Sequence, residues 1–136
     1  MELQTQNGKV GRIRVWLATR KQVRLGQFGE WIALKYLLSR RWDIIARNWR
    51  TRRGELDLIA YDGTDLVFIE VKTRQAPTQF SPEANVDNKK RDQLERLAYS
   101  FMERHELYDM PIRFDLIAIE THDSRDYCLR HYSGFM

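Results

Sequence analysis

The sequence predicts an α/β layered domain with a mixed sheet, and three observations carry that prediction. Segments rich in good helix formers alternate with short apolar segments in the order α-β-β-β-α-β-β. Two neighbouring apolar segments flank a hairpin signal, which makes those two strands antiparallel. A length of 136 residues suits one domain with a real core and is short for two.

Residues 1 to 24 show no sustained period and read as a flexible basic arm, with the folded domain running from 25 to 136 and order beginning near Gly26. From Gln27 to Ser39 the string QFGEWIALKYLLS is apolar on most sides, as a helix packed against a sheet requires. Asp43 to Trp49 reads as the first strand. Glu55 to Tyr61 (ELDLIAY) and Leu66 to Thr73 (LVFIEVKT) read as the next two, joined by Asp62-Gly63-Thr64-Asp65. Pro77, Ser81, Pro82 and Asn85 then mark a loop. The clearest helix follows, because Leu94, Leu97, Ala98, Phe101 and His105 recur at helical spacing. Ile112 to Ile119 and Tyr127 to Tyr132 complete the set as strands, joined by the polar stretch Glu120 to Asp126.

Composition narrows the function. A 43% hydrophobic and 12% aromatic content with both charge signs belongs to a folded chain rather than a disordered one. No apolar run approaches the roughly 20 residues of a membrane span, so no membrane partner is expected. Arg14 and Arg20 interrupt the apolar stretch near the N-terminus, which speaks against a secretory signal. The single cysteine, Cys128, excludes an internal disulfide framework and a Cys-rich zinc site, and a cytoplasmic location is the default expectation.

The net charge of +4 is unevenly spread. The arm carries Lys9, Arg12, Arg14, Arg20, Lys21 and Arg24 against Glu2 alone. A second cluster, Arg40, Arg41, Arg47, Arg50, Arg52 and Arg53, is opposed only by Asp43 until Glu55. Two such clusters point to a polyanion, a nucleic acid above all, with a solvated surface and a basic leader as the plain alternative.

The chemistry is read from strand parity. Alternate residues of a strand share a face, so Glu55, Asp57, Ile59 and Tyr61 lie together, as do Leu66, Phe68, Glu70 and Lys72. A hairpin loop of two or four residues then puts Asp57, Glu70 and Lys72 on one face, and the four-residue loop sets Asp57 directly opposite Glu70. Two carboxylates about 5 Å apart repel by roughly 3 kcal/mol at an effective dielectric near 20, a cost without structural benefit. Lys72 offsets part of that charge. A hard divalent cation, Mg²⁺ or Mn²⁺, does so better and would polarise a phosphodiester. On this reading Asp57 and Glu70 hold the ion, an activated water attacks phosphorus, and Lys72 orients the water or stabilises the developing charge. The alternative is a surface ion pair between Glu70 and Lys72 at a strand end.

Three further residues bear on the site. Glu30 falls among Ala33, Leu34 and Leu37 on the helical wheel, so it faces the sheet unless it is simply a first-turn acid favoured by the helix dipole. Lys90 stands in the apolar stripe of the second helix, four residues before Leu94; it either emerges beside the site or snorkels. Glu55 is a secondary ligand candidate that could instead pair with Arg52, Arg53 or Arg74. His105, His122 and His131 are scattered, and neither a nucleophile motif nor a phosphate-binding loop is present.

GELDLIAYDGTDLVFIEVKTR, from Gly54 to Arg74, resembles the D-x(n)-(D/E)-x-K signature of the restriction-endonuclease-like PD-(D/E)xK superfamily, with Glu70-Val71-Lys72 as its last part. The wider set, GQFGEWIALKYL, RNWR, GELDLIA, FIEVKTR, Lys90 with Ala98, and RFDLIAI, is similar to the YraN-type family of predicted bacterial nucleases over residues 25 to 135. The resemblance implies a restriction-endonuclease-like three-layer αβββαβ core, with a mixed central sheet flanked by helices. It also implies catalytic positions at Glu30, Asp57, Glu70 and Lys72, with a helix lysine at Lys90. The superfamily's proline before the metal-binding aspartate is Leu56 here. Because Holliday-junction resolvases belong to that superfamily, structured or branched DNA is the expected substrate, and a homodimer the assembly that would cut paired strands.

The expected function is therefore Mg²⁺-dependent hydrolysis of DNA. Asp57, Glu70 and Glu55 are the metal candidates, and Arg47, Arg50, Arg52, Arg53, Arg74 and Lys90 the nucleic-acid contacts. The competing expectation is a non-catalytic nucleic-acid-binding domain that keeps the nuclease fold. A third, an assembly or adaptor protein, draws only on Trp16, Trp42 and Trp49 as exposed aromatics.

Overall fold

Apolar segments of period two and two helices with an apolar side leave one economical solution, a sheet covered by a helix on each face. The computed structural model describes residues 2–7, 22–76, 87–122 and 126–136. Its elements run β1 (Glu2–Asn7), α1 (Gln22–Ser39), β2 (Asp43–Thr51), β3 (Gly54–Tyr61), β4 (Leu66–Gln75), α2 (Asn88–Arg104), β5 (Ile112–His122) and β6 (Asp126–Tyr132). They form one six-stranded sheet in the order β1-β6-β5-β4-β3-β2. β4 and β5 pair in parallel and the other neighbours antiparallel, so the sheet is mixed. The parallel pair needs a crossover, and α2 lies within that connection.

The two faces bury different clusters. Phe28, Ile32, Ala33, Tyr36 and Leu37 of α1 pack on Leu58, Ala60, Val67, Ile69, Ile117 and Ile119. Leu94, Leu97, Ala98 and Phe101 of α2 pack on Leu56, Ile59, Leu66, Phe68 and Phe114. Val67 and Ile69 thus alternate with Leu66 and Phe68, as strand geometry demands.

The alternation slips twice in β2, first at a register shift between Ile44 and Ala46 that leaves Ile44 on the α1 side and Ala46 on the α2 side, and once in β3. Ala46 and Trp49 both face α2, as do Leu56 and Ile59, although each pair is three residues apart. Between them lie Asn48, with a left-handed φ of 50°, and Asp57. Asn is one of the few residues that adopts this conformation at modest cost.

α1 sits very close to β4 at one point. A Cβ on Gly29 would fall 1.7 Å from Thr73 Oγ1, so only glycine permits this approach. The contact holds the middle of α1, and with it Glu30, against the last part of β4.

A buried polar network ties the sheet to α1 and to the β3–β4 turn. Asp115, fully buried, accepts from Arg113 Nε at 2.8 Å and Nη2 at 3.0 Å, from His131 Nε2 at 2.7 Å and from Gly134 N–H at 2.9 Å. Arg113 Nη1 also donates to Asp62 at 2.8 Å and Asp65 at 3.1 Å, while His131 Nδ1 meets Tyr36 OH at 2.9 Å. Burial alone would raise the Asp115 pKa, but the bonds from His131, Arg113 and Gly134 outweigh it and hold the carboxyl below its ordinary range.

Several expectations change. Order begins before Gly26: α1 starts at Gln22, and Glu2–Asn7 pairs with β6 from Glu2 opposite His131 to Asn7 opposite Asp126. Backbone pairing along an otherwise open strand edge, rather than an apolar period, supports β1. Residues 8–21 of the arm, Trp16 among them, and the expected loop at Pro77, Ser81, Pro82 and Asn85 lie outside the described residues. Trp42 and Trp49 are not exposed aromatics. Trp42 is buried against His131, and Trp49 is half-buried edge-on to Phe101, because large rings fill the sheet–helix space more favourably than solvent does. No helix among the described residues is long and apolar enough to cross a membrane.

Candidate metal centre

The site begins where β3 and β4 part. Their ladder starts with Tyr61 opposite Leu66, a four-residue turn in which Asp62 Oδ1 accepts from Thr64 N–H at 2.8 Å and Asp65 N–H at 2.7 Å. It runs as far as Leu58 opposite Ile69. The next step would pair Asp57 with Glu70, but there Val71 N–H donates to Asp57 Oδ2 at 2.8 Å. A side-chain carboxylate thus replaces a main-chain carbonyl, and β3 and β4 are joined across their parting by Asp57 itself.

Acids collect around that point. Glu30, Glu55 and Asp57 each present a carboxylate oxygen, and the three atoms lie within 4.8 Å of one another. Glu55, Asp57, Glu70 and Lys90 line a cavity of about 160 Å³ whose apolar walls include Phe68 and Leu94. Lys90 Nζ stands 3.0 Å from Glu70 Oε1. Glu70 Oε2 is buried with no hydrogen-bond partner among the described residues, as is Thr73 Oγ1.

The electrostatics are those of crowded like charges in a poorly solvated place. Burial pushes the Asp57 pKa up from 3.8 to about 7; the Val71 hydrogen bond pulls it back, and the charges of Glu30, Glu70 and Glu55 raise it further. Burial likewise raises the pKa of Glu30, with Glu55 adding to the effect and Asn48, Arg47 and Arg50 opposing it. A buried carboxylate oxygen without a partner, beside an aspartate that resists ionisation, is a donor set that suits a hard cation.

The sequence-derived residues are partly brought together. Glu30, Glu55 and Asp57 converge, Glu70 joins Glu55 and Asp57 along the cavity, and Lys90 emerges beside that cavity rather than snorkelling away. Glu55 pairs with Arg50, at 2.9 Å, and not with Arg52, Arg53 or Arg74; both partners are exposed, so the pair itself contributes little. Lys72 is half-buried two residues beyond Glu70, but it does not line the cavity and makes no ion pair among the described residues. Arg47, Arg50, Arg52, Arg53 and Arg74 are all exposed. Arg52 and Arg53 form the two-residue tip of the β2–β3 hairpin, closed by Thr51 opposite Gly54.

Asn48 escaped the sequence reading. Its side chain favours the charged form of Glu30, and its left-handed backbone makes a slip in β2 opposite Asp57. A lone asparagine inside a strand-like run, a residue that disfavours strands yet tolerates φ above zero, was the available signal.

Residues 29–119, which span Glu30 through Lys90, match a family described as Uncharacterised protein family UPF0102. A UPF0102 protein of Geotalea uraniireducens is 42% identical over 99 residues, covering 73% of this chain and 78% of that protein. One from Frankia alni is 40% identical over 118 residues, covering 87% and 98%. One from Roseiflexus castenholzii is 38% identical over 104 residues, covering 76% and 84%.

Proposed function

The chain belongs to the UPF0102 family, and from its acidic centre we propose that it is a cytoplasmic, divalent-metal-dependent endonuclease that hydrolyses phosphodiester bonds of structured or branched DNA. The observation that carries the reading is Asp57. It stands half-buried at the parting of β3 and β4, crowded by Glu30, Glu55 and Glu70, and poor solvation above all, with those charges adding to it, raises its pKa to about 7.

The run α1-β2-β3-β4-α2-β5 supports a restriction-endonuclease-like core, since it reproduces the αβββαβ order with acids at the β3–β4 parting. Asp57 and Glu70, with Glu55, would hold Mg²⁺ or Mn²⁺ through hard oxygens, and Glu30 completes the acidic surround. Such an ion, when bound, supplies Lewis acidity and a template for the phosphate. Lys90 holds Glu70 through Oε1 and leaves Oε2 for ligation. Asn48 favours the charged form of Glu30. Lys72, on the Glu70 side of β4, stabilises charge as it develops on the phosphate. Arg47, Arg50, Arg52, Arg53 and Arg74 take the flanking phosphates, which makes binding sensitive to salt.

The second reading, a nucleic-acid-binding domain without catalysis, draws on Lys72 standing off the cavity and on Lys90 already neutralising part of Glu70. A panel of duplex, flap, fork and four-way-junction DNA decides between them. Nuclease action predicts cleavage of at least one substrate with Mg²⁺ or Mn²⁺, none with chelator, and loss of roughly a hundredfold or more in Lys72→Ala. Cleavage that survives chelation, or tight binding of every substrate with no cleavage by the wild type, would overturn the enzyme reading.

A further inference from the structure

A second groove adjoins the acidic cavity, and the chemistry proposed so far makes no use of most of it. Lys89, Asp92, Gln93 and Arg96 follow one another at helical spacing along an exposed stripe of α2. With Arg53 they line a groove of about 640 Å³. Three cations there face a single carboxylate, and none of the three makes an ion pair among the described residues. The groove adjoins the cavity along the chain at both sides. Arg53 precedes Glu55 by two residues and Lys89 precedes Lys90 by one, and Glu55 and Lys90 both line the cavity.

The arginine is delivered to the groove by a fixed contact. Gln93 Nε2 donates to Arg53 O at 3.1 Å. Gly54, with φ of 144°, lets the hairpin lie this close, because a Cβ there would fall 2.7 Å from Gln93 Nε2 and 3.3 Å from Leu97 Cδ1. The tip is thereby held against α2, so a ligand need not pay to order it.

We infer that this groove seats the phosphate backbone of a nucleic-acid strand, with Lys89, Arg96 and Arg53 as its contacts, and leads that strand to the acidic cavity. The inference deepens the nuclease reading and rests on it. Contacts of this kind position a strand without reading its bases, so the groove serves substrate placement rather than sequence choice. Gln93, already bonded to the tip, sets the spacing between the two walls.

The test compares the wild type with a Lys89→Gln/Arg96→Gln double variant, whose replacements keep good helix formers on exposed positions. Binding of a labelled fork DNA is followed in calcium-free, magnesium-free buffer as salt rises from about 50 to about 200 mM, and cleavage is followed with Mg²⁺. Loss of two phosphate contacts lowers the salt slope by about 2, so over that range the wild type should lose roughly tenfold more affinity than the variant. In the cleavage assay the defect should fall in KM rather than in kcat. A wild type that binds and cleaves while the variant keeps the same salt slope and KM overturns the groove and leaves the nuclease reading standing. A wild type that does not bind the fork overturns both.

Discussion

Asp57→Asn should abolish metal-dependent cleavage and, at about pH 8 without divalent cations, leave the protein more stable than the wild type. The loss of activity follows from removing a candidate ligand that, like Glu55, belongs both to the cavity and to the Glu30 cluster. A Lewis-acid contribution of several kcal/mol corresponds to roughly a thousandfold or more in rate. The gain in stability follows from linkage. Asp57 has a folded pKa of about 7 against an ordinary 3.8, so between those values the native state keeps a proton that the unfolded state has released. Stability of the wild type therefore falls as pH rises through that window and levels off above it. Asparagine does not titrate, and its carbonyl can still accept from Val71 N–H. The advantage of the variant should be near zero at about pH 4 and grow to about 2–4 kcal/mol at about pH 8. Urea midpoints at the two pH values measure it, and a gap that does not change with pH would contradict the account. Added Mg²⁺ should reverse the order, since a cation that binds only the native wild type stabilises it.

Asp115→Ala should cost about 3–5 kcal/mol, as much as truncating a large core side chain. The reason is what remains behind. His131 Nε2, Gly134 N–H and two donors of Arg113 lose an acceptor that is itself fully buried, while Arg113 keeps Asp62 and Asp65. Because the Asp115 pKa lies below the ordinary value, its contribution is complete above the usual carboxylate range and is lost as pH falls through the lowered pKa. Equilibrium unfolding in urea at neutral pH reads the loss, and a shift worth less than about 1 kcal/mol would show the network to be dispensable.

Much of the fold was legible because it rests on local signals. Helix formers from Gln27 to Ser39, the Leu94-Leu97-Ala98-Phe101 stripe, and the apolar runs on either side of Asp62-Gly63-Thr64-Asp65 all lie within the elements they predict. The four-residue turn was one of two loop lengths parity allowed, and Asp62 selects it by accepting from Thr64 and Asp65. What was not legible depends on contacts distant in sequence. The pairing of Glu2–Asn7 with β6 is main-chain hydrogen bonding, which leaves no apolar period to read. Trp42 and Trp49 are core because His131 and Phe101 meet them, and no local pattern announces that.

Strict alternation accounts for only part of the candidate site. Alternation places Asp57 opposite Glu70 across a continued ladder. The ladder instead stops at Leu58, Asp57 turns its carboxylate to Val71 N–H, and the left-handed Asn48 offsets β2 alongside. Those departures bring Glu30 from α1 into the same cluster as Glu55 and Asp57. Backbone irregularities of this kind concentrate where function demands a geometry that regular structure does not offer.

The measurement that bears most directly on the acidic centre is a calorimetric titration of Mn²⁺ into the metal-free protein near neutral pH, beside Asp57→Asn. We expect saturable binding to the wild type, accompanied by proton release as Asp57 ionises, and none to the variant. Equal binding by both proteins, or no binding by either, would contradict the assignment of Asp57 and its neighbours as a site for a hard cation.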